Sequence, residues 1–435
     1  MSFARFVSSS VPPRLGGAGA VVRQTVRNGS VVSIRQGNPS SMRIEASKRD
    51  SLVRRTISMF MPDRYPHSVD SSYARFSLLQ GIQHFSNSIT SVMSTQSLLL
   101  ALGLGSGALP IAATLNWILK DGLGQLGGIV FSSRMGTMFD LHTKTLYIAS
   151  SIFFQMACLL EYMCPFAGPY LFLPLASVAN VGKNLAWISA SASKVKMHQS
   201  LSTDDKGSNL GDLTAKSGSQ ATAFSMIGIG FSVILTSYFG NHPVTNMTLG
   251  LLFAACSVGA AVAGAVTVPM RNVTEPRLLH LFEIFSKTGT VPDPSSLRKE
   301  DVLVELAFIK KRIQGRFVKI NPDLRRIHEF NLDGLWNVAT ETSKKTIFVA
   351  EENAFLVRTD ASPHDVFRGY CTDVLRQSEA EFGHFVEAMT KQGWDVKNSD
   401  LEGSRTSQRF EVDPASAQSE IEEDAEFDST TSMNR

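Results

Sequence analysis

The chain has 435 residues, 42 Lys and Arg against 39 Asp and Glu, and a formal net charge of +3 at pH 7. That length suits two or three domains, and so small a charge excess, with no aromatic-interleaved basic patch, argues against nucleic acid as a partner. The four cysteines, Cys158, Cys164, Cys256 and Cys371, show neither CxxC nor Cys/His spacing, so no zinc site or disulfide framework is read from them.

Residues 1–44 hold six arginines (Arg5, Arg14, Arg23, Arg27, Arg35 and Arg43), many serines and no acid. This is the composition of an organellar transit peptide, and residues 1–50 are read as a disordered leader outside the fold. Composition alone does not separate plastid from mitochondrion.

Charge then disappears. Residues 76–119 and 217–270 contain no Lys, Arg, Asp or Glu. Water-facing amphipathic helices need a polar face, whereas membrane spans need about 20 mostly apolar residues. Gly/Pro punctuation divides the region into six expected helices, at residues 78–102, 111–131, 145–163, 170–190, 221–239 and 244–268. The connections 103–110, 164–169 and 240–243 are uncharged, and the others carry Arg134 and Lys144, then Lys194, Lys196, Lys206 and Lys216. Six crossings put every basic loop and both termini on one side, as the positive-inside rule requires. The first helix is the least regular, because Gln80, Gln83, His84, Asn87, Ser88 and Thr90 make its first half polar; an interfacial start would leave five spans. The Gly124/Gly128 and Ala260/Gly264 spacings suit close helix packing in lipid. The expected fold class is therefore mainly α: a membrane bundle of about six helices over residues 60–280.

A small soluble α+β domain is expected over residues 281–405. Residues 275–286 and 299–316 read as amphipathic helices, 345–351 and 355–359 as strands about a turn, and 394–396 as a third strand. Ser362, Pro363 and Asp365 make a helix start, with the helix running to about 392. Residues 406–435 read as an acidic disordered tail, since eight acids and one arginine lie from Glu411 onward.

Ionisable groups at membrane depth are costly and face the bundle interior or a cavity. Asn116, Lys120, Asp121 and Gln125 would form one polar strip on the second helix, a candidate ligand-binding or proton-relay site, and Lys183 of the fourth helix could pair with Asp121 across the bundle or snorkel to the surface. Glu161 is expected at the membrane edge. A second candidate is the loop NLGDLTAKSGSQ, where Asp212, Lys216, Ser219 and Gln220 could hold an anion at a helix N-terminus or simply cap the helix. No catalytic or metal-binding constellation is found.

The stretches RYPHSVDSSYARF, STQSLLLALGLG, LNWILKDGLGQLGGIVF and NLGDLTAKSGSQATAFSMIGIG, within residues 64–280, resemble the root UVB-sensitive (RUS) protein family. The family shows a similar W-x-L-[K/R]-D-x-x-G-x-L-G-G signature followed by D-[I/L]-x-A-K-x-x-S-Q. Matching positions are Trp117, Lys120, Asp121, Gly127, Gly128, Asp212, Ala215, Lys216, Ser219 and Gln220. Lys120 stands where relatives tend to have Arg, which keeps the charge but loses bidentate recognition. The resemblance implies a non-enzymatic organellar membrane protein, plastid rather than mitochondrial. Its role would be in UV-B responses and vitamin B6 homeostasis. It would act through the bilayer, another RUS-family chain or self-association, and a small molecule of the vitamin B6 class. It names no cofactor. The alternative is a small-molecule transporter, since six helices with an intramembrane charge pair suit half of a transporter bundle.

Overall fold

The computed structural model describes residues 21–25, 31–36, 42–46, 59–102, 111–135, 141–203, 209–240, 242–314, 317–322, 345–350, 353–401 and 409–411. The chain divides into two units, Met1–Tyr65 and Pro66–Arg435. In the first, β1 (Val21–Thr25), β2 (Val31–Gln36) and β3 (Met42–Ala46) form an antiparallel meander, with Val22 opposite Ile34 and Ile34 opposite Ile44. Strands here were not expected from a disordered leader. β1 and β2 are rich in β-branched residues (Val21, Val22 and Thr25; Val31, Val32 and Ile34), a local strand signal that the Arg- and Ser-rich composition masks.

The second unit opens with six long helices: α1 (Tyr73–Ala101), α2 (Ile111–Met135), α3 (Thr143–Ala167), α4 (Pro169–Leu201), α5 (Leu210–Phe239) and α6 (Pro243–Thr267). Among the described residues, α3, α5, α6 and residues 170–201 of α4 are long and apolar enough to cross a membrane. The expected fourth helix ends eleven residues early and the expected fifth begins eleven residues late. SASASKVKMHQS continues α4, and NLGDLTAKSGSQ, expected as a loop, is mostly the first turns of α5. Neither stretch contains Pro, so a polar composition does not stop the helix.

α1 lies at the centre and packs against α3, α5 and α6, while α4 packs on α3 and carries α2 on its outer side. Glycines set two of these distances. A Cβ at Gly228 of α5 would stand 2.5 Å from the carbonyl oxygen of Phe85 on α1, and one at Gly124 of α2 would collide with the Asn180 amide of α4. The polarity of the bundle is inverted relative to a water-soluble one. Ile118, Ile129, Met226 and Leu252 are 61–67% exposed, whereas Ser86, Thr90, Ser94, Asn246 and Ser257 are fully buried.

The C-terminal part is α+β. Its elements are β4 (Asn272–Thr274), α7 (Glu275–Thr288), α8 (Pro294–Leu297), α9 (Asp301–Ile313), β5 (Lys319–Ile320), β6 (Thr346–Val349) and β7 (Ala354–Val357). They are followed by α10 (Pro363–Gly369), a π-helical turn (Tyr370–Val374), α11 (Glu379–Lys391) and β8 (Asp395–Asp400). β4 pairs in parallel with β8, and β7 lies between parallel β5 and antiparallel β6. Phe355, Phe367, Tyr370, Phe385 and Met389 fill the core between them. Ser362 caps α10 as expected, its hydroxyl accepting from the Asp365 amide at 3.2 Å. The single helix expected to residue 392 is broken, because Arg376 takes a left-handed φ of 57° and Ser378 starts a second capping box with Glu381. Residues 412–435, most of the expected acidic tail, lie outside the described residues.

Candidate functional site

The first candidate strip is divided by the helix that carries it. Lys120 Nζ bonds Asp121 Oδ1 at 2.7 Å and lies 4.6 Å from the centre of the Trp117 ring. The partner across the helix interface is Asn180, whose amide donates to Lys120 O at 3.2 Å and Asp121 Oδ1 at 3.3 Å. Gln125 points outward and is exposed, and the side chain of Asn116 lies outside the described residues. Lys183 does not reach Asp121. Asn180 and Asn184 form the stripe of α4 that meets α2, and Lys183 is about 100° from Asn184 around the helix, which turns it toward α1 and α3.

Lys183 instead bonds Glu161 Oε2 at 2.5 Å, and the Ser94 hydroxyl donates to the same oxygen at 2.6 Å. Three helices thus meet at one carboxylate, with Lys183 Nζ 5.9 Å from the Phe154 ring centre. Glu161, expected at the membrane edge, is 2% exposed. It is the one acid within α3, and that isolation amid apolar neighbours is the sequence signal for an inward carboxylate.

The polar half of α1, read as interfacial, is the inward face of the central helix. Gln80 accepts from Ser217 at 2.8 Å, and Gln83 accepts from Tyr147 at 2.5 Å. Asn87 accepts from Gln155 at 2.7 Å and from Ser257 at 2.6 Å. Farther along, the Thr90 carbonyl accepts from Tyr162 at 2.9 Å, and Ser97 accepts from Asn246 at 2.9 Å. These positions recur every three or four residues, so they form one stripe about 25 Å long. Their polarity lowers the apparent hydropathy of a helix that is internal. Beside the stripe, α1, α3 and α4 leave an open cleft lined by Gln83, Asn87, Tyr147, Trp187 and Lys194, with a volume near 30 Å³, room for about two waters.

The second candidate group lies along one side of α5, at i, i+4, i+7 and i+8, but its members differ in burial. Gln220 is buried, accepting from Ser77 at 2.5 Å and donating to Tyr73 at 3.2 Å. Ser219 is exposed and bonds its own helix at Ala215 O, while Asp212 and Lys216 are half-buried. Because all four lie on a continuing helix, they do not converge as a loop would.

A further charged cluster joins the helices to the C-terminal part, and the sequence reading missed it. Arg277 Nε bonds Asp301 Oδ1 at 3.2 Å and its NH2 group bonds Glu305 Oε1 at 2.9 Å. Lys144 Nζ reaches Asp301 Oδ2 at 2.9 Å, and the Thr145 amide donates to Glu305 Oε2 at 2.8 Å. All four charges are buried and balance to zero. Burial raises the Asp301 carboxyl, but Arg277 and Lys144 outweigh it and hold the group below the usual range. For Glu305 burial prevails over Arg277 and the group is raised. Adjacent His142 is pushed down to about 4 by burial and by the charges of Arg312 and Arg277. Only the fold reveals the two partners of Arg277.

Residues 46–289, over half of the chain, match the family model of the vitamin B6 photo-protection and homoeostasis domain. "Protein root UVB sensitive 2, chloroplastic" of Arabidopsis thaliana is 32% identical over 78% of this chain and 75% of its own length. The chain belongs to the root UVB sensitive family. Arabidopsis root UVB sensitive 3 is 25% identical over 76% of this chain and 77% of its own, and RUS family member 1 of Dictyostelium discoideum is 27% identical over 59% and 49%. The family region thus covers α1 through α7, including the α1 stripe, the Glu161–Lys183 pair and both signature segments. No solved structure matches.

Proposed function

We propose that this RUS-family chain is an integral membrane protein of the plastid. It acts non-enzymatically in the UV-B response and vitamin B6 homeostasis, through complexes with family partners or a bound small molecule. One observation carries the membrane part: the inverted polarity of the bundle. Only 11% of the most apolar stretch of α5 is buried, while serines, threonines and asparagines fill the space between helices. In water such a molecule would expose a wide apolar surface and bury hydrogen-bonding groups at a cost, whereas lipid reverses both signs. The vitamin B6 and UV-B roles rest on the family domain, and the plastid location on the name of the Arabidopsis relative.

The test is carbonate extraction followed by labelling of single cysteines placed at Thr203 and His242, the two ends of α5. Both positions are exposed, and the 30 residues of the helix span about 45 Å. The reading expects retention in the membrane and labelling from opposite faces. Release by carbonate refutes it.

A transporter is the second reading, favoured by the Glu161–Lys183 pair within two apolar helices and the polar stripe beside it. Uptake of labelled pyridoxine into proteoliposomes, abolished by Glu161→Gln, would support it; equal uptake with and without the protein would remove it.

A further inference from the structure

Lysines of the bundle differ in what they touch. Lys120, Lys144, Lys183 and Lys196 each sit on a carboxylate, that of Asp121, Asp301, Glu161 or Asp400. Lys194 does not. Among the described residues its hydrogen-bond contact is the ring of His84, with Nζ 3.3 Å from Nε2. It lines the cleft between α1, α3 and α4, and no Asp or Glu is among the lining residues. A shielded lysine without a counter-ion is the setting in which proteins use the amine as a carbonyl nucleophile.

We propose that Lys194 captures a small aromatic aldehyde as a reversible imine in this cleft. The inference rests on the small-molecule part of the function proposed above and assigns that molecule a site. The amine nitrogen attacks the carbonyl carbon, forming a C–N bond. His84 Nε2 relays two protons from nitrogen to oxygen in turn: the first turns the alkoxide into the carbinolamine hydroxyl, and the second lets that hydroxyl leave as water as the C=N bond forms. One amine and one aldehyde give one imine and one water, with no redox partner.

The shape of the cleft selects the aldehyde. The cleft is open to the surface, and its volume near 30 Å³ accommodates a formyl group and the departing water but not a six-membered ring. The ring must lie at the mouth, where Trp187 is 53% exposed and its indole stands 6.4 Å from the His84 ring at 35°. The exposed indole face offers the ring a stacking surface. Phe154 closes the apolar side, and the Tyr147–Gln83 pair offers hydrogen bonds to a ring hydroxyl. A hydroxylated pyridine aldehyde, the chemistry of pyridoxal, meets each requirement. Lys120 and Lys216 are not in the cleft lining.

The experiment uses the full chain in lipid nanodiscs, limiting pyridoxal and cyanoborohydride, with peptide mapping of the reduced adduct. Lys287, whose side chain is 70% exposed, is the internal reference. Lys194 is expected to be modified at least about tenfold more than Lys287. Excess pyridoxine, which lacks the aldehyde, should protect Lys194 and leave Lys287 unchanged. Because mapping is done on the unsubstituted protein, the result does not depend on the folding of Lys194→Arg, which should only remove the adduct. Pyridoxal and pyridoxine retained in equilibrium dialysis without preferential labelling of Lys194 would overturn the imine and leave the small-molecule reading standing. Labelling of Lys194 without protection by pyridoxine would also overturn it. Retention of neither compound, with no adduct, would overturn both.

Discussion

Glu161 and Lys183 are bound at 2.5 Å in the interior of two apolar helices, and Ser94 from a third shares the same carboxylate oxygen. Removing one partner strands a buried charge. Glu161→Gln should destabilise the bundle by about 3–5 kcal/mol, read as a lower melting temperature in fluorescence-detected size exclusion. Replacing both, Glu161→Leu with Lys183→Met, should recover most of the loss. A Gln variant that melts with the wild type would show that the pair does not hold the helices.

The neighbouring pair behaves differently. The Asp121 side chain is 46% exposed, so its ion pair with Lys120 is screened and worth at most about 1 kcal/mol. Asp121→Asn should therefore shift the melting temperature far less than Glu161→Gln in the same assay. The reverse ranking would place the weight of the bundle at the α2–α4 edge.

Arg277 is the hinge pin of the C-terminal part, bonding Asp301 and Glu305 with different nitrogens. Arg277→Met should leave two buried carboxylates facing Lys144 alone, a loss of roughly 3–5 kcal/mol, and speed limited proteolysis within residues 275–400. Arg277→Lys should not restore resistance fully, since one ammonium lacks the planar fork that reaches both acids. Unchanged cleavage patterns in both variants would contradict this account.

Asp365 gives a pH signature. Burial raises its carboxyl, but the hydroxyl and amide of Ser362 and the ammonium of Lys345 together overcome that and hold it at about 2, against an ordinary 3.8. A depressed folded value means that the cap stabilises fully above the ordinary value and is lost as pH falls from about 4 to 2. The stability difference between wild type and Asp365→Asn, about 1 kcal/mol near neutrality, should fall to a small fraction by pH 2 and vanish about one pH unit lower. A difference that stays constant across that range would refute the assignment.

Close packing offers another check. Gly228→Ala would push a methyl group against the Phe85 carbonyl, a backbone atom that cannot rotate away, and should cost about 1–3 kcal/mol. Gly230→Ala, with open space around its Cβ, should be near neutral in the same melting assay. Equal effects at the two sites would mean that α1 and α5 do not approach as described.

Local signals were readable where they depend on adjacent residues. The Ser362–Asp365 cap, the charge-free runs and the Lys120–Asp121 neighbours were legible because each is settled within one turn. Lys183 was assigned to the wrong acid because its partner depends on the rotation of α4 against three neighbours, and one residue turns a side chain by about 100°. The α1 stripe was misread for a related reason: polar residues count against a span in a linear average, whichever way they point. The Arg277 cluster joins residues 144, 277, 301 and 305, a separation no local pattern encodes.

The α1 stripe also bears on how the chain is made. On the membrane reading, a helix with Gln80, Gln83 and Asn87 along one side has no stable place alone among acyl chains, because those amides would be stranded without partners. Its hydrogen bonds come from Tyr147, Gln155, Tyr162 and Glu161 on α3, and from Asn246 and Ser257 on α6, all synthesised later. The first helix of the bundle must therefore settle last. Membrane assembly then runs against sequence order: a chain truncated after α2 would remain extractable, and one reaching α6 would draw its own first helix into the bilayer.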